Sequence, residues 1–120
     1  MLIRLIFTCY LPYKAKIGGK LTLGYGGMGI VIHDNAVIGT NCHFDQGVTI
    51  GGSSKKIDVP IIGNNVYLGA GAKVIGPVKI GNDVVIGANA VVLSNLPDNC
   101  VAVGVPAKVI KYGIKKSDYV

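Results

Sequence analysis

Tryptophan is absent from this 120-residue chain, phenylalanine and histidine occur twice each, and charged residues make up only 15%. No run of eighteen apolar residues exists, so a membrane-spanning helix is not expected. The three cysteines, Cys9, Cys42 and Cys100, are odd in number and unpaired in spacing. That excludes a disulfide framework and points to a reduced, cytoplasmic setting. The net charge is +6, but the basic residues line no single face and no exposed aromatics interleave with them. Nucleic acid is therefore not the expected partner, and an anionic small ligand bearing phosphates suits the charge better. Two histidines ten residues apart do not readily give the three imidazoles that a histidine zinc site gathers, and no metal is expected.

What is present is a period. Ile17, Leu23, Ile32, Ile38, Phe44, Ile50, Ile62, Leu68, Val74, Ile80, Ile86 and Val92 fall in steps of six, broken by one step of nine and one of twelve. All twelve are apolar and eight are followed directly by glycine. Hexads exclude an α-helical face, which repeats near 3.6, and the longer units of helical solenoids. Two residues before most beats stands a second apolar or small residue, among them Ala36, Cys42, Val48, Val66, Ala72, Val78, Val84 and Ala90. Residues at i and i−2 share one face of a strand, so each hexad reads as a short strand with a narrow inward face. Glycine after the beat supplies a corner. Three such sides close a triangular coil of about eighteen residues, and stacked coils bury one continuous apolar column. The expected fold is all-β, a β-helix of four or five coils in a single domain; a β-sandwich with chance spacing is the alternative.

The pattern's breaks delimit the chain. Residues 1–14 form an apolar N-terminal segment without a proper h-region or cleavage site. The β-helix covers 15–93, with a glycine-rich bulge at Gly24–Gly29 and a protruding loop over 51–61. The hexads stop at Val92, and residues 94–120 are expected to cap the open end and finish in a solvated tail carrying Lys115 and Lys116. Excursions on a rigid scaffold are the usual place for binding chemistry. His33 takes a slot that is glycine in most hexads, so its ring projects from a corner just after the bulge. It lies on a coil directly below the loop that follows Ile50. His43 precedes Phe44 and faces out, as ordinary surface histidines do, whereas Cys42 sits at an inward position and reads as a small hydrophobe.

The stretches AKIGGKLTLGYGGMGIVIHDNAVIGTNCHFDQGVTIGG, GAGAKVIGPVKIG, IGANAVVL and AVGVPAKVI, over about residues 15 to 112, resemble the hexapeptide-repeat acyltransferases in their serine O-acetyltransferase branch. They are also similar to relatives of that branch that acetylate sugars of bacterial surface polysaccharides. The resemblance implies a left-handed coil, an exception to the right-handed crossover rule. It further implies acetyl-CoA as cosubstrate, and a homotrimer with its sites between subunits. On this resemblance Gly69, Ala70, Gly71, Ala72 and Lys73 offer backbone groups to the pantetheine arm. Gly104, Val105, Pro106, Ala107 and Lys108 border the nucleotide end, with Lys108 or Lys111 near a phosphate. The loop after Gly51 and Gly52 folds over the cofactor, and amides around those glycines are candidate oxyanion donors.

The branch carries an Asp-His pair after the leucine of the bulge and a second histidine before a proline in the loop. Here Gly24 and Tyr25 stand at the first place and Val59 precedes Pro60 at the second. His33 is then the expected base, with Asp34 or a neighbouring subunit orienting it and Tyr25 binding the acceptor or orienting the imidazole. The expected activity is acetyl transfer to a hydroxyl of L-serine or of a saccharide. The rival readings are a catalytically silent structural or binding module and, through the shared coil, a γ-type carbonic anhydrase.

Overall fold

The structure, a computed structural model, describes residues 14–120. The expected N-terminal segment, except Lys14, and Cys9 lie outside the described residues. Fourteen short strands follow one another: β1 (Lys16–Ile17), β2 (Thr22–Leu23), β3 (Val31–Ile32), β4 (Val37–Ile38), β5 (His43–Phe44), β6 (Thr49–Gly51), β7 (Ile61–Ile62), β8 (Tyr67–Leu68), β9 (Lys73–Ile75), β10 (Lys79–Ile80), β11 (Val85–Ile86), β12 (Val91–Val92), β13 (Cys100–Val103) and β14 (Lys108–Tyr112).

β1 to β13 pair in parallel with strands one coil away, giving three sheets that wall a triangular prism. The first face is β1-β4-β7-β10, the second β2-β5-β8-β11-β13 with β14 at its end, and the third β3-β6-β9-β12. Register follows the beats: Ile17 with Ile38 and Ile62, Leu23 with Phe44 and Leu68, Ile32 with Ile50 and Val74. These residues and their i−2 companions fill the prism, and Phe44, Ile50, Leu68 and Ile86 are fully buried. Burial of each such side chain contributes about 1.5–3 kcal/mol.

The three corners differ in chemistry. Where the first face turns into the second, Asn41, Asn65, Asp83 and Asn99 take the left-handed backbone conformation that short polar residues tolerate. Beside them the side-chain oxygens of Asn64, Asn82 and Asp98 accept hydrogen bonds from the amides of Thr40, Asn64 and Asn82 at 2.8, 2.8 and 2.7 Å. This asparagine edge ties coil to coil. Where the second face turns into the third, Gly29, Gly47 and Gly71 stack with positive φ, forming a glycine edge. The third corner, from third face to first, carries His33 and then the excursion after Gly51.

The column does not end at Val92. Leu96 bridges in parallel to Ile80, and β13 continues the second face beside β11. Leu96, Cys100 and Ala102 are buried in the same core. The step from Val92 to Leu96 is four residues rather than six, which hides this coil from a hexad count. β14 then turns back antiparallel on β13. The tail is also not loose: Ile114 packs on Val85 and Val101, and Lys116 Nζ donates to the Asn41 carbonyl at 2.7 Å.

Candidate active site

The sequence-expected residues fall on two edges of the third face. On the glycine edge, successive coils place Gly24–Gly29 lowest, then Asp45–Gly47, Gly69–Ala72, Gly87–Asn89, and Gly104–Ala107 on top. The amides of Gly47, Gly71 and Asn89 each donate to the coil below, to Met28, Gln46 and Ala70 at 2.8, 2.9 and 2.8 Å. The uppermost segment is anchored to the third face, because Val91 donates to Gly104 and Ala107 donates to Val91 at 3.0 and 2.8 Å. Tyr25 projects outward from the bulge, 78% exposed. Lys73 folds back so that Nζ meets the Gly71 carbonyl at 2.9 Å, while Lys108 and Lys111 of β14 are exposed.

The glycines of this edge have a structural reason of their own. A Cβ at Gly69 would stand 2.8 Å from the Ala88 amide nitrogen, and one at Gly71 would collide with Asn89 Oδ1. Close stacking of coils therefore demands glycine there whether or not a ligand approaches.

The arm edge holds His33, Asp34, Gly51 and Gly52. The His33 amide donates to the Ile50 carbonyl at 2.8 Å, and a Cβ on Gly52 would lie 3.5 Å from His33 Cδ2 and 3.7 Å from Nε2. The Nε2 edge of the ring thus faces Gly52 across the coils. Nδ1 accepts a hydrogen bond from the Asn35 amide at 3.0 Å. A backbone N–H can only donate, so in the neutral ring the proton resides on Nε2. In this tautomer neither ring nitrogen has a lone pair free to take a proton, so His33 is not poised as the base expected from the sequence. Beyond Gly52 the arm reaches out: Ile57 is 92% exposed, and Val59 and Pro60 are buried where it returns. Beneath it lies an open groove of about 400 Å³, lined in part by Asn35, Val37, Ile57, Ile61 and Lys79.

One cluster escaped the sequence reading. On the second face, beside the glycine edge, His43 Nε2 meets Asp45 Oδ1 at 3.0 Å and the Tyr67 hydroxyl donates to Asp45 Oδ2 at 2.5 Å. The two rings meet edge to face, centroids 5.1 Å apart. The hydrogen bond to Asp45, burial and repulsion from the same carboxylate push the Tyr67 hydroxyl up to about 12. The signal was there to find: Asp45, like His33, replaces a glycine after a beat, and outward residues of paired strands stack.

Cys42 and Cys100 are free, buried thiols whose pKa values are raised, chiefly by burial. Among the described residues no group of three or more His, Cys, Asp or Glu is placed to hold a metal ion, and no helix is long and apolar enough to cross a membrane.

A family profile described as bacterial transferase hexapeptide (six repeats) matches residues 60–94. Serine acetyltransferase of Staphylococcus aureus is 46% identical over 99 residues, 81% of this chain and 46% of that protein. Among solved structures, serine acetyltransferase of Neisseria gonorrhoeae superposes with a TM-score of 0.87 at 37% identity, over 93% of this chain and 43% of that one. Serine acetyltransferase of Brucella abortus in complex with coenzyme A gives 0.88 at 34%, over 93% and 45%. Repeat, fold and these likenesses place the chain in the hexapeptide-repeat transferase family, with its left-handed β-helix. Within that family it resembles the serine acetyltransferase branch. The chain spans less than half the length of these relatives.

Proposed function

We propose that this chain is an acetyl-CoA-dependent O-acetyltransferase, moving acetyl directly to a hydroxyl of L-serine or of a saccharide. The observation that carries the reading is the alignment of Tyr25, Gly69–Ala72 and Gly104–Ala107 along one edge of the prism, in a fold shared with a coenzyme A-bound relative. The edge suits a thin, amide-bearing chain that ends in phosphates. Gln46 Oε1 is buried there without a partner among the described residues and would accept an N–H. Lys108 and Lys111 are free to meet phosphate oxygens. The cosubstrate supplies an activated thioester; the chain must position the acceptor, take its proton and steady the oxyanion.

For the oxyanion, the Nε2–H of His33 and the amides beside Gly51 and Gly52 are suitably placed donors. In this reading His33 donates rather than abstracts, Asp34 flanks it, and Tyr25 contacts the acceptor. The two edges lie on opposite sides of the third face, about 13 Å apart by four strand steps. On this reading the site forms between copies of the chain, and the family resemblance implies that the assembly is a homotrimer. Exposed Met28 beside Tyr25 at the bottom of the glycine edge and exposed Val105 at its top support such packing. The free thiols support a cytoplasmic location. The relatives' names favour L-serine as acceptor. The replacements at Gly24, Tyr25 and Val59 favour a saccharide.

The test is release of coenzyme A thiol from acetyl-CoA, with L-serine or a panel of nucleotide sugars as acceptor, for wild type and His33→Ala. Release that depends on one acceptor class and falls in the variant supports the reading. Absence of release with every acceptor, together with no acetyl-CoA binding by calorimetry, favours a silent binding module instead. Full activity in His33→Ala removes that residue from the mechanism.

A further inference from the structure

The outward residues of the second face change character midway along the prism. Thr22, His43, Tyr67, Val85 and Val101 occupy equivalent register positions on β2, β5, β8, β11 and β13. The upper pair is apolar and buried beneath Ile114, with Tyr67 packed against its margin. A scaffold that needed only stability could have continued that apolar cover. Instead the two coils between Thr22 and Val85 carry a histidine, a carboxylate and a phenol in one connected network, next to Tyr25 and the glycine edge.

A carboxylate can only accept, so His43 Nε2–H donates a hydrogen bond to Asp45 Oδ1 and the Tyr67 hydroxyl donates one to Oδ2. Both oxygens are engaged, and the Tyr67 ring braces the imidazole edge to face. Neutral His43 therefore has its lone pair on Nδ1, and no described group bonds that atom. This is the reverse of His33, whose Nδ1 lone pair is taken by the Asn35 amide. Of the two imidazoles, one is held as a donor and the other as an acceptor. Room for the arrangement comes from Gly24, since any side chain there would collide with Asp45 Oδ1.

We propose that His43 is the general base of the transferase, taking the acceptor's hydroxyl proton at Nδ1, with Asp45 and Tyr67 as positioning residues. The proposal rests on the transferase reading above. The attacking oxygen's proton passes to Nδ1 as the oxygen bonds the acyl carbon, and the thiolate leaves with the coenzyme. The imidazolium formed is stabilised by Asp45 and can then return its proton to the leaving sulfur. The charged or titratable groups around His43 are Asp45, Tyr67 on β8, Tyr25 near Tyr67, the inward thiol of Cys42, and Lys116, whose ammonium holds the Asn41 carbonyl. From β2 the register partner is Thr22, which does not titrate.

The experiment measures acceptor-dependent thiol release against pH for wild type, His43→Gln, Asp45→Asn and Tyr67→Phe, with acetyl-CoA affinity by calorimetry and thermal midpoint alongside. His43→Gln is expected to lower kcat at least about 100-fold, the low end for a lost base, with acetyl-CoA affinity unchanged. Asp45→Asn removes the counter-charge of the imidazolium formed in the step and is expected to lower kcat several-fold, with acetyl-CoA affinity and acceptor KM unchanged. Tyr67→Phe removes one of the bonds that aim the carboxylate and is expected to lower kcat less than Asp45→Asn does; this variant keeps the ring packing and guards against simple misfolding. A purely structural network would lower the thermal midpoint and leave kcat in place, and that overturns the proposal. Activity in His43→Gln within about threefold of wild type overturns it alone. No acceptor-dependent release from wild type overturns the transferase reading and this one with it.

Discussion

The Tyr67 hydroxyl donates to Asp45 Oδ2 at 2.5 Å, joining two coils of the prism across twenty-two residues of chain. The bond holds only while the phenol is protonated, and the folded pKa is raised from 10 to about 12. A raised folded pKa means the contribution to stability is fully present below pH 10 and is lost as pH climbs through about 12. A tyrosinate absorbance titration, compared with Tyr67→Phe, is expected to lose its latest-titrating component in the variant. A difference spectrum centred near pH 10 contradicts the bond.

Stacking clearance predicts a contrast between two glycines on the asparagine edge. A Cβ at Gly39 would stand within 2.6 Å of the Gly63 carbonyl carbon, whereas one at Gly19 meets nothing within 4 Å. Gly39→Ala is expected to destabilise by about 1–3 kcal/mol, as overpacking does. Gly19→Ala should stay within about 0.5 kcal/mol of wild type. Chemical denaturation of the two variants checks the pair.

Phe44 fills the prism between Leu23 and Leu68 and is fully buried. Phe44→Ala is expected to cost about 3–5 kcal/mol, because stacked strands cannot collapse into the cavity without breaking register. Urea unfolding of wild type and variant measures it.

Cys42 and Cys100 face the core with thiols pushed up by burial. Peptide mapping after treatment with a thiol-alkylating reagent is expected to find both unmodified in the folded protein and both modified in denaturant. Rapid labelling of either in the folded state contradicts the inward placement.

The prism was legible in the sequence because one rule, an apolar residue every six, governs every coil. The same rule misled at its end. Leu96 arrives after four residues instead of six, so the coil through Ala102 looked like a cap. The tail is solvated as its composition suggests, but composition does not record that Lys116 holds the Asn41 carbonyl through one long-range bond. His33 was identified from its place in a glycine slot, but which ring nitrogen carries the proton depends on the Asn35 amide, a contact no pattern records. Asp45 occupied the same kind of slot. Its meaning emerges only when His43 and Tyr67 come into register on neighbouring strands.

A crystal structure with coenzyme A tests the account most directly. The account predicts the pantetheine arm along Gly69–Ala72, the phosphates near Lys108 or Lys111, and the sulfur between His33 of one copy and His43 of another. Coenzyme A bound on the first face, or failing to bind at all, would contradict it.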